Sequence, residues 1–420
     1  MLIVTLVSLL VVSCGDFLTF SSLLHFDRVM VLYSAGCNSL SENLESNISE
    51  LKTGFVPDKN DRRALIVISH TAGDFYTNTS AYIIRIYKGR SGVVADTLKT
   101  ITAGKFLTQA TVMRDALDYV KQNFKSDHYG LVFSSHATGW LPEGYFNNPN
   151  AQTTGGYVIS MQAPQRLQAL PEDAVPYYEP QYEEGLPPVK SIGEEDSHYG
   201  ESKISFEMSL TKFAENIPMH LDYLVFDACF MGCIECAYEL KDVCDLMAFS
   251  PTEILAWGFQ YKTLASHLLE SKPDVYKACK DYFDKYDQRT GGDRAATITL
   301  VDCTKLEPLA TVCKELCDKY QASIKTVNPA LVQPFFRGNK HWFYDLEDVF
   351  VQAGITASEK DRLDNALDGC IVYKASTPKF LTIPINTYSG FSMYLPSNGN
   401  EYLDNFYKTL AWNKATGLVQ

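Results

Sequence analysis

The sequence predicts an α/β fold with a mainly parallel central sheet covered by helices on both faces, and three observations carry that expectation. Short continuous apolar runs recur along the chain, among them Val29-Met-Val-Leu-Tyr33, Ala64-Leu-Ile-Val-Ile-Ser69, Tyr129-Gly-Leu-Val-Phe-Ser-Ser135 and Leu221-Asp-Tyr-Leu-Val-Phe226. Strands buried on both faces lose the alternation of a half-exposed sheet and read as such runs. Helical stretches alternate with them at a spacing that suits strand–helix–strand units, because a parallel pair needs a crossover connection. Apolar residues also make up 46% of the 420 residues, enough to build a large core and to exclude global disorder.

Taken in order, residues 28–34 read as the first strand and 38–52 as a polar helix, with Asn38 as its candidate cap. Strands follow at 64–69 and 81–87. A helix near 107–124 shows Met113, Leu117 and Val120 at helical spacing, and the next strand ends at His136. After the strand at 221–226 comes a helix at about 232–241 and a further apolar run, Leu246-Met-Ala-Phe-Ser250. A C-terminal elaboration carries strands at 296–302, 370–375 and 390–395 and helices near 273–288, 304–326 and 402–410. The length allows two or three domains, but the even alternation favours one unit over residues 28–410.

The segment at about 141–203 differs in character. Prolines recur at 142, 149, 164, 171, 176, 180, 187 and 188, an acidic cluster stands at Glu194-Glu-Asp196, and periodic apolar residues are few. Such a stretch buries too little apolar area to offset its ordering entropy, so an exposed, irregular insertion is expected.

The formal net charge of -13, without a Lys/Arg cluster, argues against a nucleic-acid partner. Residues 1–13 form an apolar stretch too short to span a bilayer, followed by Cys14. This is similar to a bacterial lipoprotein signal in which Val11-Val-Ser-Cys14 is the lipobox and Cys14 the acylated residue, although no Lys or Arg precedes the run. The expectation is an exported, membrane-tethered protein of the bacterial cell envelope, periplasmic or surface-exposed. Eleven cysteines, less Cys14 and Cys229, leave an odd number without the spacing of a disulfide framework. Cys229, Cys233, Cys236 and Cys244 stand close together, and their residue types alone leave packed thiols, a disulfide or a metal site open. No paired C-x-x-C arrangement or nearby His completes a metal site, and none is assigned.

Two strand ends carry the chemistry. His136 follows the run ending at Ser135, and Cys229 follows Leu221–Phe226 by three residues. Ligands of open α/β sheets bind beyond the carboxyl ends of the strands, so both groups face one sheet edge. A thiol and an imidazole there meet the needs of acyl transfer through a cysteine nucleophile. None of the other seven histidines lies in a comparable motif.

These motifs resemble the clostripain family of cysteine peptidases, within the caspase-like group. The carrying residues are Ser135-His136-Ala-Thr-Gly139-Trp140 and Asp227-Ala-Cys229-Phe-Met-Gly232. Val29–Tyr33 running into Asn38-Ser-Leu40, Tyr344-Asp345-Leu346 and Ser389–Pro396 add to them. The resemblance covers roughly residues 28–410 and implies a caspase-like α/β/α sandwich, polypeptide substrates, and a Cys229–His136 dyad working through a thioester. It also implies an oxyanion hole made by the backbone N–H groups of Cys229 and Ala137. Caspases have Gly at the second position, so Ala137 would be strained by about 1–2 kcal/mol if that site needed positive φ.

The family's acid two residues before the nucleophile is matched by Asp227, which implies Arg or Lys at P1, the residue whose carboxyl is attacked; a helix cap or structural acid is the alternative reading of that residue. Strongly basic-specific relatives have a second acid after the next strand, where this chain offers Glu253, with Trp257 as an aromatic wall. Relatives can be cut between the His and Cys strands, which makes Lys190, Arg166 and Lys203 candidate processing sites. Relatives can also require calcium, but no Asp-rich loop with ordered ligand spacing is present to assign it. Two rival readings remain at this point: a catalytically inactive surface-binding lipoprotein on the same fold, and another cysteine acyl-transfer enzyme.

Overall fold

The strand order of the main sheet explains where a site can form. The computed structural model describes residues 25–71, 79–145, 174–176, 187–188, 195–199, 202–337 and 342–420. From the N-terminus come β1 (Arg28–Gly36), α1 (Ser41–Thr53), β2 (Arg63–Thr71), β3 (Ala81–Gly89), β4 (Gly92–Ile101), α2 (Ala110–Asn123) and β5 (Tyr129–Ser134). Next are β6 (Ala174–Pro176), β7 (Glu195–Tyr199), β8 (Ser202–Phe206), α3 (Leu210–Glu215), β9 (Leu221–Asp227), α4 (Ile234–Glu239) and β10 (Cys244–Phe249). Then follow α5 (Tyr261–Leu268), α6 (Val275–Asp287), β11 (Thr297–Asp302), α7 (Leu306–Ile324), β12 (Tyr344–Asp345), α8 (Leu346–Gln352), α9 (Ala357–Cys370) and β13 (Ile371–Ser376).

Nine strands form one sheet in the order β13-β11-β10-β9-β5-β1-β2-β3-β4. The central run from β10 to β2 is parallel, and both edges are antiparallel. This is the α/β sandwich the apolar runs predict. The connection from β1 leads outward to β2, whereas β5 leads the other way to β9 and β10. Right-handed crossovers therefore put α1 and α4 on opposite faces, and the carboxyl ends of β1 and β5 flank the crevice where the connections diverge. Helices α1, α5 and α6 pack together, while α4, α11 (Ala411–Thr416, after α10 at Glu401–Tyr407), α7 and α9 pack together in turn. Gly130 lets β5 and β9 approach: a Cβ there would lie 1.8 Å from the Tyr223 ring, whose hydroxyl donates to Leu268 O at 3.1 Å.

Several local expectations are corrected. Helix α1 begins at Ser41 with Leu40 in the cap position, and Asn38 instead accepts the Leu40 N–H at 2.9 Å, closing the turn ahead of the helix. Strand β4 has no counterpart in the sequence reading because its residues are almost all exposed and leave no apolar run. The strand expected at 390–395 reduces to Ser392–Met393, which pairs with β12. The insertion is not wholly irregular either: β6, β8 and β7 form a three-stranded antiparallel sheet, and Glu195 and Asp196 of the acidic cluster are buried.

Candidate active site

The pairing of β5 with β9 builds the site. These strands are parallel neighbours with Ser134 beside Asp227. Two residues further along each, His136 and Cys229 leave adjacent strand ends, which lie about 4.8 Å apart in a sheet. The turn after β1, the other parallel neighbour of β5, brings up Ser39, whose Oγ lies 3.0 Å from His136 Nε2. Ser135 Oγ donates to Ala35 O at 2.7 Å and ties the two strand ends together.

His136 also borders a cavity of about 60 Å³ lined by Ala137, Gly139, Glu207, Phe213 and Met231. Burial lifts the Glu207 carboxyl to a pKa of about 8, against the opposing N–H of Gly144 at 2.7 Å. Ala137 is not among the residues with positive φ, so the strain feared at this position does not arise. Cys229 is fully buried and His136 is 5% exposed, so a substrate reaches them only after something moves.

Cys229 sits in the turn between β9 and α4, and α4 begins only at Ile234. The helix that the sequence places from about 232 thus starts further on and does not adjoin Cys229 directly. Its contacts come from the loop after β10: the Ile254 N–H points at Cys229 Sγ at 3.1 Å, and the sulfur lies 3.9 Å from Ile254 O. The turn is held on both sides, with Phe230 N–H on Thr252 O at 3.0 Å, Gly232 N–H on Ser250 O at 2.8 Å and Ser392 N–H on Gly232 O at 2.9 Å. Phe230, next to the nucleophile candidate, has φ 59°, a conformation that a bulky side chain adopts only when its surroundings impose it. The motif around Asp345 has a supporting role. Its buried carboxylate caps α8 and accepts the Ser389 N–H at 2.6 Å, joining the two C-terminal motifs behind the Cys229 turn.

Cys233 and Cys236 pack with their sulfurs 3.1 Å apart, and burial pushes both thiols above their ordinary range. All described cysteines are free, and the described residues contain no cluster of three or more His, Cys, Asp or Glu able to hold a metal.

Asp227 ends β9 with its carboxylate fully buried, accepting from Ser134 Oγ at 3.0 Å and Tyr261 OH at 2.5 Å. Its cover is Gly258, at φ 59°: a Cβ there would lie 2.3 Å from Oδ2. Glu253 does not present a second open acid. It is 2% exposed and makes a two-pronged pair with Arg337, at 2.6 and 2.9 Å. Trp257 already carries the Arg289 guanidinium over its ring at 4.6 Å, beside a cavity of about 320 Å³ that Asn43, Asn47, Glu50 and Gln260 also line. Lys285 Nζ donates to the carbonyls of Trp257, Gly258 and Phe259 at 2.9–3.1 Å and fixes this loop.

Cys14, Arg166 and Lys190 lie outside the described residues. Lys203 is on β8, opposite His198 of β7, a paired strand rather than the open segment expected of a cleavage site. Sequence reasoning missed Ser39, Ser134, Tyr261 and Ile254. Ser39 alone had a signal, the Asn38-Ser-Leu40 motif; the others depend on contacts made across the sheet. His70 was also set aside, although it is the penultimate residue of β2 and is buried.

The clostripain family profile matches residues 32–154 and 204–417. No curated protein matches the sequence. Among solved structures, an inactive zymogen C11 protease from Parabacteroides distasonis is 24% identical with a TM-score of 0.72, covering 93% of this chain and 98% of its own. A secreted C11 cysteine protease from Bacteroides thetaiotaomicron, solved with an irreversible peptide inhibitor, is 18% identical with a TM-score of 0.71 over 93% and 99% of the two chains. A further structure of a secreted C11 cysteine protease from that organism is 22% identical with a TM-score of 0.70, again over 93% and 99%.

Proposed function

The chain belongs to the clostripain family of cysteine peptidases, and on that premise we propose that Cys229 and His136 are its catalytic dyad, cleaving peptide bonds on the carboxyl side of Arg or Lys. The register that sets His136 and Cys229 on neighbouring strand ends carries this reading. The Cys229 thiolate attacks the scissile carbonyl carbon, and the resulting oxyanion lies against the N–H groups of Cys229 and Ala137. Collapse breaks the C–N bond, His136 gives the leaving amine its proton, and water then hydrolyses the thioester. The reading needs no metal; a calcium requirement is left to direct titration.

The expected result is selective modification of Cys229 by a peptide acyloxymethyl ketone with Lys or Arg at P1, at neutral pH. Labelling at Cys229 no faster than at the other thiols would overturn the reading.

Export and a lipid anchor at Cys14 belong to the same proposal. They rest on the Val11–Cys14 pattern. Processing is its last part. Pro188 O accepts the Ala256 N–H at 2.9 Å, two residues from the Ile254 that holds the nucleophile, so the insertion contacts the loop over the buried dyad. Lys190, two residues on in sequence, is the favoured cleavage site, ahead of Arg166 and of Lys203, which β-sheet pairing protects. Intact mass of the active enzyme is expected to show two associated pieces cut near Lys190. Full turnover by an uncut chain would show processing to be unnecessary.

A further inference from the structure

We propose that Glu195, contributed by the insertion, is a positioning residue of this peptidase site, holding the turn that aims Ser39 at His136. The inference rests on the proposed dyad and concerns a residue outside both catalytic motifs. Glu195 is fully buried at the start of β7 and gathers donors from three separate elements. His70 Nδ1, near the end of β2, lies 2.7 Å from its Oε1, and the Cys37 N–H, just past β1, reaches the same oxygen at 3.4 Å. Oε2 accepts the Thr108 N–H at 2.9 Å and the Thr108 hydroxyl at 3.4 Å, ahead of α2.

The next residue completes the joint. The Asp196 N–H donates to Cys37 O at 2.8 Å, so both backbone polar groups of Cys37 are held by the insertion. Cys37 Sγ also lies 3.8 Å from Asp196 O. Two residues beyond Cys37 is Ser39, 3.0 Å from His136 Nε2. On its far side the turn is closed by Asn38, which accepts from Leu40 N–H and sends its amide toward Ala35 O at 3.4 Å. A four-residue turn pinned at both ends leaves Ser39 little freedom, and a hydroxyl fixed at Nε2 sets the direction of the imidazole.

The insertion supports this joint with apolar contacts. Phe206 of β8 stacks on Phe106 with centroids 4.2 Å apart, Phe106 tilts against His70 at 5.6 Å, and Ala174 and Ile204 join Cys37 in the same small core. Burial opposes the charge on His70, but Glu195 and Cys37 outweigh it and raise its pKa to about 10. The other ring nitrogen, Nε2, meets Thr79 Oγ1 at 3.1 Å. A chain cut near Lys190 keeps Glu195 on the piece that carries Cys229, and this joint then couples the two pieces.

The test compares Glu195→Gln, His70→Asn and Ser39→Ala in the full chain. Glu195→Gln is expected to lower kcat about tenfold with KM little changed, and the double variant with His70→Asn to lose no more than the worse single, since the residues act as one unit. The alkaline limb of the kcat/KM profile, where the protonated imidazole that serves the leaving amine is lost, moves in Glu195→Gln and in Ser39→Ala alike. A readout independent of turnover is the NMR titration of the His136 ring in a Cys229→Ala background, expected to shift in both variants. Should Glu195→Gln fail to fold, Ser39→Ala and His70→Asn carry the test. A lowered melting temperature with the His136 titration and kcat of the folded fraction unchanged would overturn the inference and leave Glu195 a stabilising residue only. If the wild type hydrolyses no peptide while the His136 titration still moves, the peptidase assignment of the dyad fails and the positioning role stands.

Discussion

Cys229→Ala and His136→Ala are each expected to abolish peptide hydrolysis, by about 10⁴-fold or more, while the protein stays folded. Cys229 lies in a turn held by backbone hydrogen bonds from Phe230, Gly232 and Ser392, none of which uses its thiol. Removing the sulfur leaves a small void and frees the Ile254 N–H, a loss of roughly 1–3 kcal/mol in stability, well below what unfolds a domain of this size. Removing His136 takes away a contact with Ser39 at the edge of a cavity, where water can replace it. The two losses should not add, because a thiolate without a proton donor for the leaving amine and a donor without a nucleophile fail at the same step. Cys233→Ala and Cys236→Ala provide the contrast: both thiols are packed in the core, so their loss should lower the melting temperature more than the rate. Circular dichroism with a fluorogenic peptide assay checks all four. Retention of most activity by folded Cys229→Ala would end the proposed mechanism.

The second large effect concerns the P1 residue. Asp227→Asn is expected to remove the preference for Arg and Lys, since leaving one partner of a buried ion pair without the other costs about 3–5 kcal/mol, or roughly 10²–10⁴-fold in selectivity. Asp227 lies at the end of β9, two residues from the nucleophile, and Gly258 covers it without a side chain. Gly258→Ala should therefore act like Asp227→Asn, because the added Cβ would lie 2.3 Å from Oδ2. With Glu253 paired to Arg337, and with Arg289 and Lys285 beside Trp257, the second acid that the sequence offers is already committed elsewhere. The wild type should thus favour basic residues less strictly than an enzyme with two pocket acids, and Arg over Lys because guanidinium pairs a carboxylate in two places. A P1-diverse peptide library measured on wild type and Asp227→Asn decides it. A wild-type preference for apolar or acidic P1, or an unchanged basic preference in Asp227→Asn, would refute the specificity and leave the Cys229 chemistry standing.

The sequence by itself determined the class of fold, the parallel centre of the sheet, the family, and the two residues that end the neighbouring strands. Each of these is a local signal: a buried parallel strand is a run of apolar residues, and the proposed nucleophile and its partner sit just past such runs. Only the tertiary structure decided how the polar groups pair. Glu253 read as a second pocket acid and Glu195 as part of an exposed acidic cluster, yet one is committed to Arg337 and the other to His70, partners 84 and 125 residues away. The strand β4 escaped notice for the opposite reason, since an exposed edge strand carries no apolar pattern. Ser39, Ser134, Tyr261 and Ile254 reach the site only because β1, β5, β9 and the loop after β10 lie side by side. Periodicity records which face of an element is buried; it carries no information about which buried polar group meets another, and that pairing is set when the strands and the insertion pack against one another.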